Sequence, residues 1–189
     1  MVECDAVNAF EYYKSIEKDS IYCNHPEVEE YITLCSTHAI LDEENRLILS
    51  EGQAMPEGLE KVTLSLLARD GETGKKSGIN WGQRNGRNKS QAYIGHPAEV
   101  ARSGFFPLEG RHFTVITDDR KQLILRAEQD GDKAITTPHN NALIGEYLRY
   151  RLGLPNDAFV HRGDLEKYGR TDVTFYKLDE EHFFMDFST

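Results

Sequence analysis

The stretch HFTVITDDRKQLILRAEQDG, residues 112–131, settles the fold class. His112–Thr117 and Gln122–Ala127 each alternate apolar with polar side chains, the period that sends successive residues to opposite faces of a sheet. The polar run Asp118-Asp119-Arg120-Lys121 between them is turn chemistry, so the two segments predict a hairpin.

The same grammar continues toward the C-terminus. Asn140 or Asn141 can cap a helix whose apolar stripe is Leu143, Ile144, Tyr147, Leu148 and Leu152 and whose end is marked by Gly153 and Pro155; Arg149 and Arg151 fall off that stripe. Ala158–His161, Asp172–Lys177 and His182–Phe187 read as strands, separated by the turns GDLEKYGRT and LDEE. Upstream, KVTLSLLA (Lys61–Ala68) alternates until Asp70-Gly71 stops it, and Pro97, Glu99 and Gly104 bracket a short helix in PAEVARSGFF. Further back the pattern weakens: Ala6–Lys18 has loose helical spacing, Pro26 opens another helical turn in HPEVEEYI, and Leu47–Leu49 suggests a strand. The expected organisation is an acidic N-terminal segment over residues 1–60 and a mainly β domain with two short helices over residues 61–189.

At 189 residues and 39% hydrophobic content the chain can close a core. No apolar run approaches the roughly 20 residues of a membrane span, and the first ten residues lack a secretory signal pattern, so no membrane partner and a cytoplasmic location are expected. Cys4, Cys23 and Cys35 are an odd number confined to the first fifth of the chain, and read as thiols.

The net charge of −10 is unevenly spread. Residues 1–60 hold 3 Lys/Arg against 14 Asp/Glu, residues 61–126 hold 12 against 6, and residues 127–189 hold 7 against 12. An acidic total repels the phosphate backbone at long range, but a local basic arm still works at contact distance.

Such an arm exists in KKSGINWGQRNGRNKSQAY, Lys75 to Tyr93, which has five cations, no carboxylate and the only Trp. Gly78, Gly82 and Gly86 at every fourth position predict an extended, exposed loop. Lys75 and Lys76 suit phosphates, whereas Gln83, Arg84, Asn85, Arg87, Asn88, Lys89 and Gln91 are the side-chain types that read base edges; Ser77, Asn80 and Trp81 are expected to touch DNA with them. The bland alternative is a solvated loop; the interleaved amides and Trp81 favour recognition. A second polar segment, Glu128 to Asn141, offers Gln129, Lys133 and Asn140 as donors, and Asp130 and Asp132 as acceptors for cytosine N4, although a turn and a helix cap would also account for several of these.

The stretches SGINWGQRNGRNKSQAYI, FTVITDD, EQDGDKAI, LRYRLGLP and KYGRTDVTFYKLD resemble the C-terminal half of the NgoFVII-type restriction endonucleases, over about two thirds of the chain. The resemblance implies a B3-like DNA-binding domain similar to that of plant transcription factors, an open seven-stranded antiparallel pseudobarrel with two short helices. Ser77–Gln91 and Glu128–Asn141 would be its two arms, reading double-stranded DNA in the major groove. It also implies a nuclease half of the phospholipase D type, with a His-x-Lys signature. None of the seven histidines here is followed two positions later by Lys, so that half, with its catalytic residues, is expected to lie outside this chain, which would need no cofactor. A nuclease domain or other bacterial restriction subunits are then expected partners.

Three rival readings remain open. Asp130, Asp132 and Lys133 approach the carboxylate-and-lysine set of metal-dependent endonucleases. Cys23, His25, Cys35 and His38 are donor types that zinc accepts, though Cys23 and His25 stand closer than usual. The acidic N-terminal third could serve an adaptor, which would leave the basic arm without a use.

Overall fold

The structure, a computed structural model, describes residues 58–189. The expectations for Ala6–Lys18, the turn opened by Pro26, Leu47–Leu49, the three cysteines and the zinc set lie outside the described residues.

The hairpin at residues 112–131 is the centre of a seven-stranded sheet. β1 is Lys61–Ser65, β2 Ile94–Gly95, β3 His112–Thr117, β4 Gln122–Glu128, β5 Ala134–Thr136, β6 Asp172–Lys177 and β7 His182–Asp186, in the order β1-β6-β7-β3-β4-β5-β2. The two edge strands, β1 and β2, come back into contact, so the sheet nearly closes into a barrel, as expected of a B3-like pseudobarrel. Every pair is antiparallel except β3 with β7. That parallel pair corrects the wholly antiparallel expectation, and it arises because the chain leaves β3 and crosses over through several elements before returning as β7, as a parallel pairing requires.

Alternation decides what fills the barrel. Leu64, Phe113, Val115, Leu125, Ile135, Val173, Phe175, Phe183 and Met185 point inward and are buried. Phe105 and Phe106, which follow helix α1 (Ala98–Ser103), plug the interior. The Phe106 ring packs 4.7 to 5.2 Å, centroid to centroid, from Phe105, Phe113, Phe175 and Phe183, so one side chain touches three strands. Helix α2 (Ala142–Arg151) contributes Ile144, Tyr147 and Leu148 to the same core, while Leu143, expected in the stripe, stays 47% exposed.

Several local expectations change. GDLEKYGRT is not a turn: Arg162–Tyr168 is a third helix, α3, whose first turn is closed by the His161 N–H donating to Asp164 Oδ2 at 2.7 Å and whose end is the left-handed Gly169. With only Leu165 buried, it has too short an apolar face to be read as a helix from periodicity. Ala158–His161 is not a strand, because the Asn80 amide takes both backbone groups of Val160: Val160 N–H donates to Oδ1 at 2.9 Å and Nδ2 donates to the Val160 carbonyl at 2.8 Å. The short strands β2 and β5 carry too few residues for alternation to register. Among the described residues no helix is long and apolar enough to cross a membrane.

Replacing Phe106 by Ala is expected to lower stability by about 3–5 kcal/mol through cavity formation, read as a drop in the urea midpoint at an unchanged denaturant slope.

Candidate nucleic-acid interface

The basic stretch is folded, not extended. Gly78–Gln83 is a 3-10 helix, and the chain then turns back so that the Gly82 N–H donates to the Gln91 carbonyl at 2.7 Å and the Tyr93 N–H to the Gly78 carbonyl at 3.2 Å. Gly82 has no room for a side chain, since a Cβ there would sit 2.2 Å from the Asn88 carbonyl oxygen. Gly86 makes the bend with a φ of 76°.

This loop is held from beneath by Arg149 of α2, which is 0% exposed. All five of its N–H donors meet backbone carbonyls: Nε that of Ala158 at 2.8 Å, Nη1 those of Ser90 at 3.2 Å and Gly145 at 3.0 Å, and Nη2 those of Ile79 at 3.2 Å and Lys89 at 3.4 Å. Ile79 lies at one end of the loop and Lys89 and Ser90 at the other, so a single guanidinium clamps both. Burial pushes its pKa down, opposed by the Asp157 and Glu146 carboxylates. Gly145 makes the approach feasible, because a Cβ there would lie 1.8 Å from the Ser90 carbonyl oxygen. The Ser90 hydroxyl donates to Asp157 Oδ1 at 2.8 Å and accepts from the Asp157 N–H at 3.0 Å. The expectation that Arg149 and Arg151 face away from the core is therefore corrected. Arg151 makes a bidentate pair with Asp118, 2.7 Å on each side, and donates to the hydroxyls of Tyr147 and Tyr168.

Among the expected reading residues, Asn80 is wholly buried and fully used by Val160, so it cannot meet DNA. Lys75, Lys76, Arg84, Asn85, Arg87 and Asn88 are exposed; Ser77, Trp81, Gln83, Lys89 and Gln91 are half-buried. Gln83 spends its amide donors on the Lys89 and Asp157 carbonyls, at 3.3 and 3.1 Å, and the Asn88 carbonyl group of the side chain accepts from the Ser90 N–H at 2.8 Å. Arg84 Nε donates to the Lys76 carbonyl at 2.9 Å, and the Arg87 guanidinium lies 4.2 Å above the Trp81 ring. No carboxylate among the described residues pairs with Lys75, Lys76, Arg84, Arg87 or Lys89, whereas Arg126, Arg151, Arg162, Arg170 and Lys177 each have one.

The second segment divides in two. Ala134–Thr136 is β5 and is buried, so only the turn Gln129–Lys133 and the loop 137–141 can reach outward. The turn presents exposed Gln129, Asp130 and Lys133 and half-buried Asp132, with positive φ at Gln129 (71°), Gly131 (71°) and Asp132 (52°). Two left-handed non-glycine residues in one turn need support from outside it, and His96 supplies it. Its Nδ1–H donates to the Asp132 carbonyl at 2.6 Å and its backbone N–H to the Lys133 carbonyl at 2.8 Å. The His96 ring is buried against Phe106, and burial pushes its pKa down. Asn140 is exposed, but its Oδ1 accepts from the Ala142 N–H at 3.1 Å, which is the helix-start reading of that residue.

Both segments rise from one sheet edge. Residues 77–93 run into β2, which pairs with β5 through Ile94↔Ile135 and Gly95↔Ala134. The Ala92 N–H donates to the Asn141 carbonyl at 3.1 Å and Thr136 Oγ1 to the Ala92 carbonyl at 3.0 Å, while His96 holds the turn just beyond the other end of β2. Two residues of strand thus separate the roots of the basic loop and the acidic turn. His96, Asn80 and Arg149 escape sequence reading because each acts on backbone groups; the only trace is Gly145, a glycine four residues before Arg149 in a helix interior.

A family model described as the NgoFVII C-terminal B3-like DNA-binding domain matches residues 54–179. No curated protein matches the chain.

Arg149→Met is expected to destabilise the protein by about 3–5 kcal/mol, because several buried carbonyls lose their donor; limited proteolysis should cut first within residues 77–91. His96 contributes stability that is fully present above its unfolded value of 6.5 and lost as the pH falls through its lower folded value. His96→Asn, which keeps a donor for Asp132 but does not titrate, is expected to remove that part of the loss between pH 7 and 5 when urea midpoints are compared.

Proposed function

The chain belongs to the NgoFVII C-terminal B3-like DNA-binding domain family, whose match spans two thirds of it, and from that premise we propose that it is the sequence-reading module of a restriction endonuclease of that kind. It grips the major groove of double-stranded DNA with residues 77–91 on one side and the turn Gln129–Lys133 on the other. One observation carries this reading: Arg84, Arg87 and Lys89, on a loop that a buried arginine holds, and Lys75 and Lys76 just before it have no carboxylate partner among the described residues, in a chain with 32 acidic residues. A merely solvated loop needs no such clamp, and in an acidic chain unneutralised cations at one edge suit an anionic partner.

The division of labour follows from side-chain chemistry. Lys75 and Lys76, flexible point charges, hold phosphates; Arg84 and Arg87 read base edges; Asp130 and Asp132 accept from cytosine. The chain does not cut DNA by itself. Asp130 and Asp132 sit on the tip of a strained exposed turn, which suits contact better than metal-assisted hydrolysis. The acidic N-terminal segment adjoins a nuclease domain or another restriction subunit.

Selection of bound duplexes from a random pool is expected to yield a defined site, with no cleavage of plasmid DNA in the presence of divalent metal. Lys76→Ala is expected to weaken all sequences alike and reduce the salt slope by roughly 0.9. Arg84→Ala is expected to lower affinity for the selected site by about 1–3 kcal/mol while sparing random sequence. Equal losses on every sequence for both variants would contradict this assignment of roles.

A further inference from the structure

We propose that Trp81, Arg87 and Gln91 form one preset donor array that reads a guanine, with Trp81 as a positioning residue for Arg87 and Gln91 excluded from reading adenine. This deepens the DNA-reading function and rests on it. The Arg87 guanidinium stacks over Trp81 at 4.2 Å, which fixes its plane, and Nη1 donates to Gln91 Oε1 at 3.1 Å, which fixes its rotation within that plane. Tyr93 backs the Trp81 ring edge-on at 5.7 Å. The Gly82 N–H on the Gln91 carbonyl, with no space for a Cβ at Gly82, keeps the residues around Trp81 and Gln91 side by side.

Stacking leaves the guanidinium edge free, and its remaining N–H groups lie in one plane, the geometry that meets guanine O6 and N7. The same stack covers a face of Trp81 that a base would otherwise use as a platform. Adenine recognition by a glutamine needs both its oxygen and its amide nitrogen. The oxygen of Gln91 already accepts from Arg87, so the residue has only N–H donors to offer, and the unit as a whole presents donors alone. Such an array fits the paired acceptors of guanine and not the mixed edge of adenine. No carboxylate among the described residues competes for Arg87.

The test uses the full chain, its selected duplex, and that duplex with each guanine replaced in turn by 7-deazaguanine, which lacks the N7 acceptor. The wild type is expected to lose affinity on the order of ten-fold at one guanine. Trp81→Leu is expected to lose that discrimination while its affinity for random duplex stays within about two-fold, and Trp81→Phe, which restores an aromatic face, is expected to recover it. Arg87→Lys, which keeps the charge on an exposed residue but not the fork, should also lose the discrimination, and its retention there would overturn the array whether or not Trp81→Leu folds. Retention of the full 7-deazaguanine loss in Trp81→Leu would overturn the positioning role, and an adenine at the Arg87-dependent position would overturn the array. Binding of no duplex by the wild type would overturn the DNA-reading function itself, an outcome distinct from these two.

Discussion

The five hydrogen bonds of Arg149 are the constraint on which the candidate interface depends. A buried guanidinium without a carboxylate in contact is stable only if every N–H finds an acceptor, and here the acceptors come from α2, from both ends of the basic loop and from the segment after α2. The arrangement converts a glycine-punctuated loop, which would otherwise sample many conformations, into a surface with one shape. It also puts a positive charge beneath a loop whose own cations are unpaired, which adds to the attraction for an anion and is tolerable because the carbonyls solvate it.

The barrel supplies the other half of that rigidity. Phe106 joins β3, β6 and β7 from within and meets His96 edge-on at 5.4 Å, so the aromatic core is in direct contact with the residue that holds the β4–β5 turn. His96 spans these layers: its ring belongs to the core, and its Nδ1–H and backbone N–H reach the turn. The two protruding segments are therefore held by different means, the basic loop to α2 through the buried charge of Arg149 and the β4–β5 turn to the end of β2 through the buried imidazole of His96. Preorganisation of this kind reduces the ordering entropy that binding must otherwise overcome.

Electrostatics divides the described residues in a similar way. Apart from Arg149, the arginines that tie the barrel together are paired with carboxylates: Arg151 with Asp118, and Arg170 with Asp172 and Asp186. Those on the basic loop are stacked or bonded to neutral groups instead, which fixes their direction and leaves their charge uncompensated. The acidity of the chain is no obstacle to this, since charge matters at contact distance and no carboxylate among the described residues pairs with these cations.

Much of the fold was legible without coordinates. The alternation in residues 112–131 and in Asp172–Lys177 and His182–Phe187, and the cap, stripe and stop signals of α2, are features carried by the residues themselves, and the elements formed within a residue of where they were expected. The basic loop and the acidic turn were also visible as compositions, and the five cations of residues 75–89 have no carboxylate partner among the described residues. What only the tertiary structure decided is which polar side chains turn inward. Asn80 was expected to touch DNA and became a substitute strand partner for Val160, 80 positions away; Arg149 fell off the apolar stripe of its helix and became the clamp on Ser90, 59 positions away; His96 carried no expectation and became the support of Asp132, 36 positions away. The physical reason is common to all three. Their partners are backbone groups, which every residue type carries alike, so apart from the room that Gly145 leaves beside Arg149 no pattern of side chains along the chain announces them.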